Sequence, residues 1–329
     1  MKVLVTGSSG HLGEALIRTL RRDPGLNVVG LDIKPSPFTT VVGSVSDENC
    51  VSDCMPGVDV VYHTATLHKP HVVTHPKQAF VSTNVAGTLA VLEAAVANGV
   101  GSFVFTSTTS VFGDAMRPSA GAPAAWVTED TEPIPKNIYG ATKIAAEALC
   151  SLFHRKHGLN CIILRTSRFF PEEDDDSHKR ANFADANIKA NEFLYRRVDL
   201  EDVVSAHTKA AERAPQLGFG RYIVSATTPF CRDDLLQLNS NASEVVRRRV
   251  PEFDAVYASL GWTMFDRIDR VYVNRAARVD LGWAPRFDFM RVLQLIRAGQ
   301  SPVSAIAASV GSKGYHDTVF ANGPYPVED

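Results

Sequence analysis

The sequence predicts an α/β protein: a doubly wound parallel sheet covered by helices on both faces, with a smaller, mostly helical C-terminal lobe. Three observations predict it. Short β-branched runs alternate with helical stretches through the first half of the 329 residues. Those runs are continuously apolar, as strands buried on both faces must be. A glycine-rich turn opens the chain directly between the first strand and the first helix.

Taken in order, Val3-Leu4-Val5 reads as a buried strand, after which Leu12, Ala15, Leu16 and Leu20 recur at helical spacing. Val28 to Leu31 forms a second strand, Thr40 to Val45 a third, and Val58 to Tyr62 a fourth behind the breaker Pro56-Gly57. A long helical pattern runs from about Lys77 to Asn98 and is closed by Gly99. Ser102 to Thr106 is a fifth strand, Ile138 to His157 a helix, and Cys161 to Leu164 a sixth strand. The second half begins with the acidic run Glu172 to Asp176 and a polar helical stretch around Ala184 to Tyr195. One more strand is expected at Arg221 to Ala226, followed by mostly helical chain from about Asp233 to Ala298, with Trp262 and Trp283 as packing anchors. The tail after Gly299 is rich in Gly, Ser and Pro and receives no assignment.

Composition narrows the function. Hydrophobic residues at 45% and charged residues at 21% are ordinary for a globular protein. A formal charge of -2 offers no footprint for nucleic acid or an anionic membrane. No apolar run reaches the ~18 residues of a membrane span. Met1-Lys2 leads into a strand pattern that stops at Gly7, too short for a signal peptide. Cys50, Cys54, Cys150, Cys161 and Cys231 show no metal spacing. Cys50 and Cys54 share a helix face without a second pair; small buried thiols, reduced in a cytoplasmic enzyme, fit better than a redox or zinc role.

Thr6-Gly7-Ser8-Ser9-Gly10-His11-Leu12-Gly13 occupies the first strand–helix junction. A tight glycine turn there lets the backbone approach a pyrophosphate, while the helix N-terminus supplies N–H donors and positive dipole. The alternative is a purely structural turn. Asp32 closes the second strand 19 residues after Gly13. A carboxylate there accepts hydrogen bonds from ribose hydroxyls and repels a 2′-phosphate, which favours NAD over NADP. Lys34 softens that repulsion, and a simple turn role for Asp32 is the alternative.

Tyr139 and Lys143 stand four residues apart, one turn along a helix face. A phenol with an ordinary pKa of about 10 is a poor base at neutral pH. A neighbouring lysine and a positive nicotinamide ring both favour the phenolate, making Tyr139 a usable proton acceptor and donor. Lys143 can also hold the nicotinamide ribose. The hydroxyls of Thr106-Ser107-Thr108-Thr109-Ser110 end the fifth strand, where open parallel sheets bind ligands.

Together these residues resemble the extended short-chain dehydrogenase/reductase family, the NAD-dependent epimerase/dehydratase type. The resemblance runs from Met1 to about residue 298. It includes His63-Thr64-Ala65, Asn84-Val85-Ala86-Gly87-Thr88, Ser107 through Gly113, Val198 through Val203, and Leu281-Gly282-Trp283-Ala284-Pro285. It implies a Rossmann-type domain at 1–170 with a contribution from about 198–228 and a substrate-binding lobe at 171–197 and 229–300; the C-terminal tail at 301–329 is left unassigned. It implies Thr108 as the hydroxyl that hydrogen-bonds the substrate oxygen, Tyr139 as acid/base and Lys143 as the partner that lowers its pKa. The cofactor set it implies is Gly7, Ser9, Gly10, His11, Leu12, Gly13, Asp32, Ile33, Ser44, Val45, Ala65, Ser107, Tyr139, Lys143, Thr166 and Phe169. His68, Thr109 and Arg168 fall on the substrate side. A homodimer is implied through the helices carrying Asn84 to Asn98 and Tyr139 to His157.

Departures from the family pattern sharpen the reading. Sugar 4,6-dehydratases carry an acidic pair where Thr109 and Ser110 stand, so loss of water is disfavoured. The cysteine of the 3,5-epimerases is missing near this position. Ser44 replaces the usual adenine-side aspartate, and His68 stands where 4-epimerases often have a lysine. Only residues 172–197 separate Pro171 from Val198. That short segment argues for a small hydroxy- or keto-substrate over a full nucleotide-sugar pocket. Arg168 could hold a carboxylate or phosphate, or pair with the acidic run. His63, His68, His71 and His75 lack metal-ligand spacing, and His68 or His71 at the substrate mouth is the better reading. The acidic run reads as a solvated loop or lid. The expected function is exchange of a hydride between NAD and a secondary alcohol or ketone on a small or sugar-like substrate. An NAD-retaining epimerase and a non-catalytic NAD sensor are the alternatives.

Overall fold

The apolar runs of the first half become the strands of a single parallel sheet. A computed structural model describes residues 1–119, 121–316, 318, 320 and 323–327. Its elements are β1 (Lys2–Thr6), α1 (His11–Leu20), β2 (Asn27–Asp32), β3 (Val41–Val42), α2 (Glu48–Cys54) and β4 (Val60–His63). There follow α3 (Lys77–Ala97), β5 (Ser102–Thr108), β6 (Ala125–Val127), α4 (Ile138–His157) and β7 (Cys161–Thr166). Next come α5 (Ser177–Asn182), α6 (Asp185–Glu192), α7 (Leu200–Leu217) and β8 (Phe219–Val224). Short helices and β9 (Arg270–Tyr272) lead to α8 (Ala305–Val310).

The strand order is β3-β2-β1-β4-β5-β7-β8, with every pairing parallel. Crossovers leave β1 toward β2 and, on its other side, reach β4. The loops at the C-terminal ends of these strands therefore diverge and leave a crevice, the site at which open α/β sheets bind ligands. One sheet face packs Val3, Val5, Leu16, Ile17, Val203 and Ala206 with Ile306 and Val310 of α8. The other packs Leu4, Val61, Phe103 and Phe105 against Val91, Leu92 and Ala146. A third apolar cluster gathers Phe193, Leu238, Val245, Phe253, Phe289 and Leu293. The two tryptophans anchor different cores. Trp262 packs on the third cluster, whereas Trp283 is buried beside α7 and donates from Nε1 to Asp202 O and Ser205 Oγ.

Several expectations change. The third strand is only Val41–Val42: it is an edge with one partner, and after Gly43 N donates to Asp32 O the chain turns away. The long helix contains a π-helical segment at Val81–Ala86, a feature that often marks a functional place in a helix. By length and hydropathy α3 could span a bilayer, contrary to the expectation that no run is long enough; here it packs among α2, α4 and the sheet with half of that window buried. The polar stretch expected around Ala184 to Tyr195 forms α6, and an additional short helix, α5, precedes it directly after the acidic run. The mostly helical region holds β9, which pairs in parallel with β6. Three-residue strands carry too little periodicity to be read from sequence.

Candidate active site

The cofactor side is built from backbone. Gly7 has φ +74°, and a Cβ there would lie 2.7 Å from Ala65 N. A Cβ on Gly13 would lie 2.0 Å from Gly7 O, so helix α1 can approach the turn only with glycine at that position. Gly10 meets only Gly7 O within 4 Å, leaving its outer face open. Asp32 braces the turn: Ser9 N donates to its Oδ2 at 2.9 Å and Lys34 N to its Oδ1 at 2.9 Å. Ser9 Oγ also reaches Lys34 O, Ser36 Oγ and Thr39 Oγ1, a hydroxyl cluster with no sequence signature. Ile33 is exposed at the end of β2. Ser44 and Val45 follow the adjacent edge strand, and Val45 is buried against Gly87. Leu12 is buried in the core, and His11 turns its ring toward Phe170.

Tyr139, Lys143 and Glu147 lie on successive turns of α4 and are all buried. Asn137 caps the helix by accepting from Gly140 N. Tyr139 and Thr108 face the same cavity. Ser110 N donates to Thr108 Oγ1 at 3.1 Å, which leaves the Thr108 proton free to point at the phenol or at a bound oxygen. Burial pushes Tyr139 up to about 12, with the neighbouring Thr108 hydroxyl opposing. Burial pulls Lys143 down to about 7, with the nearby Glu147 carboxylate opposing. The expected depression of the tyrosine by Lys143 is therefore not a property of the protein alone: the ammonium lies 4.1 Å from the centre of the Phe105 ring.

Behind this group lies a buried network that sequence reasoning missed. Ser107, expected at the cofactor, instead donates to Glu147 Oε1 at 2.6 Å. Arg165 donates to both oxygens of the same carboxylate at 3.0 and 2.7 Å. Asn84, in the π-helical segment, accepts from Thr66 and Leu67 N and donates to Leu67 O and Thr142 Oγ1. It thus ties the loop after β4 to the helix of Tyr139. Asn84 was legible only as part of a family motif.

Thr108, Thr109, Tyr139, Thr166, Arg168, Phe169 and His68 line one cavity of about 770 Å³. Ala65 lies beside Gly7. Ser167, also on the cavity, buries a hydroxyl with no partner among the described residues. His63 is elsewhere: it is fully buried between Thr6 and Thr88, and burial, then the charge of Lys143, hold it down at about 3. His71 bonds Tyr315 O instead of lining the cavity. Among the described residues no three His, Cys, Asp or Glu side chains converge as a metal site.

The acidic run is only partly solvated: Glu173 and Asp176 are exposed, whereas Glu172 and Asp174 are buried. Asp174 meets Arg168 and Arg196, and Glu172 meets His11 and the main-chain N–H of Lys313. Arg168 resolves toward its ion-pair reading: it contacts Asp174 at 3.3 Å and Asp175 at 3.6 Å and donates to the Glu173 carbonyl. Glu192, fully buried, lies 2.5 Å from Arg196 and 2.7 Å from Arg197.

Comparison with known proteins identifies the family. The model of the NAD dependent epimerase/dehydratase family matches residues 3–221. The uncharacterized UDP-glucose epimerase YtcB of Bacillus subtilis (strain 168) is 31% identical over 188 residues, 50% of this chain and 55% of the relative. A dTDP-glucose 4,6-dehydratase of Streptomyces antibioticus is 32% identical over 186 residues, 51% of this chain and 53% of the relative. The chain thus spans about half the length of these curated relatives. A short-chain dehydrogenase/reductase superfamily protein from Agrobacterium tumefaciens, solved with bound NAD, superposes with TM-score 0.61 at 25% identity, covering 89% of this chain and 95% of that one.

Proposed function

The chain belongs to the NAD-dependent epimerase/dehydratase family, and on that premise we propose that it is an NAD-dependent enzyme interconverting a secondary alcohol and a ketone on a small or sugar-like substrate. The observation that carries the reading is the placing of Thr108 and Tyr139, with Thr166, Ser167 and Phe169, on the wall of one cavity. The residues fit the cofactor. The outward face of Gly10 admits a pyrophosphate, Asp32 ends β2 with its carboxylate held at the glycine turn by Ser9 N, and the unpartnered Ser167 hydroxyl stands at the cavity edge. Gly7, Ser9 to Gly13, Asp32, Ile33, Ser44, Val45, Ala65, Thr166 and Phe169 would hold it. When bound, NAD supplies the acceptor and donor of the hydride.

The protein's own part is proton handling and orientation. Thr108 holds the substrate oxygen against Tyr139. Tyr139 takes the alcohol proton as the carbonyl forms and returns it in the reverse direction. Lys143 stands one helical turn from the phenol with its pKa lowered by burial and partly restored by Glu147, and Arg165 and Ser107 fix Glu147. Thr109 and Ser110, both hydroxyls, give no support to elimination of water. The lobe formed by residues 171–197 and 229–300 closes the substrate side. Five free cysteines suit a cytoplasmic setting, and the partly exposed Val81 and Leu152 on α3 and α4 suit a homodimer through those helices.

The relatives named as epimerases favour a second reading, in which retained NAD returns the hydride to the opposite face. Tyr139→Phe tests both enzymatic readings against a mere NAD sensor. Turnover should collapse while NAD binding survives; unchanged biological activity in that variant would favour the sensor.

A further inference from the structure

The tail beyond α8, to which the sequence assigned nothing, runs back over the cavity. Helix α8 fixes its start: Ser304 N donates to Asp199 Oδ2, and Ile306 and Val310 enter the core beside α1. Just past Gly311, three groups converge on Glu172. Ser312 Oγ and Lys313 N donate to its Oε1 at 3.0 Å each, and Tyr315 OH to its Oε2 at 3.2 Å. The same carboxylate meets His11 of the glycine turn at 2.8 Å. Burial would raise Glu172, but the hydrogen bond and charge of His11 and the Lys313 amide outweigh it and hold the carboxyl near 2.

This latch sets Tyr315 between His68, at 5.1 Å between ring centres, and Phe170, at 6.0 Å. Tyr325 packs on Tyr315 with ring centres 5.4 Å apart. Both tyrosines, with Pro326 and Val327, line the cavity that holds Thr108 and Tyr139. Most basic side chains on the lining are ion-paired, Arg168 and Arg196 with the acidic run among them, whereas Lys136 has no ion pair among the described residues.

We propose that Tyr315 and Tyr325 are specificity-determining residues, a wall on the substrate side of the cavity that favours a sugar bearing one anionic group over a nucleotide sugar. The inference rests on the proposed NAD-dependent reading of the same cavity. Glu172 is a positioning residue that holds the wall to the cofactor turn through His11.

The test is calorimetric binding of glucose, glucose 6-phosphate and UDP-glucose to the full-length, NAD-loaded protein. These probes share one ring and differ in what it carries. The unmodified protein should bind glucose 6-phosphate more tightly than either of the others. Tyr315→Ala combined with Tyr325→Ala should shift the affinity ratio toward UDP-glucose at least tenfold, whereas Tyr315→Phe, which keeps the ring, should preserve the original ratio. If the double variant fails to fold, Tyr325→Ala alone should move the ratio the same way. A folded variant that binds NAD with an unchanged ratio overturns the wall and leaves the enzymatic reading standing. Absence of binding by all three sugars, with NAD bound, sinks the sugar reading and the wall together. Absence of NAD binding sinks the cofactor premise itself.

Discussion

The two sides of the cleft are built by opposite means. The cofactor side is a local device: seven residues from Gly7 to Gly13, braced by Asp32, shaped by where a Cβ cannot be placed. The substrate side is assembled from distant charges. Arg168, Arg196 and Arg197 meet Asp174, Asp175 and Glu192, and Glu172 draws in the tail from 140 residues away. The first needs only backbone geometry and should be insensitive to salt and moderate pH. The second keeps several charges from water and holds only while every partner is present.

That contrast can be broken or sharpened by substitution. The largest effect is expected at the junction of the two sides. Tyr139→Phe should lower kcat by about 10³-fold or more with NAD affinity unchanged, as read by steady-state kinetics and titration. In the unmodified enzyme, alcohol oxidation should rise with pH and ketone reduction fall, because a phenol held near 12 must lose its proton in one direction and supply it in the other. A rate that ignores pH in both directions would remove Tyr139 from the proton step.

On the charged side, Glu192→Gln should cost about 3–5 kcal/mol in denaturant unfolding, the penalty for stranding buried guanidinium groups. An equally stable variant would mean that the network is hydrated. On the local side, Gly13→Ala should abolish or severely weaken NAD binding, since the added carbon would lie 2.0 Å from Gly7 O. Retained affinity would show that α1 can back away from the turn.

Glu172→Gln should give the smallest effect, a loss on the order of 2–3 kcal/mol near pH 7. The sign follows from its lowered pKa. The carboxylate stabilises the fold fully above its unfolded value of 4.5, and that contribution is lost as pH falls toward 2. The variant should therefore lose the part of the acid sensitivity lying between those limits; melting curves across that range decide it.

The same division explains what could be read from the sequence. Gly7, Gly10 and Gly13, the Tyr139–Lys143 spacing and the apolar strands are short-range signals, legible because backbone sterics and one helical turn dictate them. The pairing of Arg168 with the acidic run was open, since a charged side chain carries no mark of its partner. Ser107 went to Glu147, and Glu147 and Arg165 went unnoticed, because a buried ion pair has no periodicity. β6 and β9 pair only with each other, and the tail meets the site through isolated contacts such as Lys313 N and Tyr315 OH on Glu172, so neither leaves a pattern that local propensity can detect.

The most direct test of the central claim is titration of the cofactor-stripped protein with NAD and NADP. The account predicts saturable binding of NAD, with NADP at least about tenfold weaker, roughly the repulsion of one 2′-phosphate by Asp32, and the same NAD affinity in Tyr139→Phe. Failure of the folded protein to bind either nucleotide would contradict it.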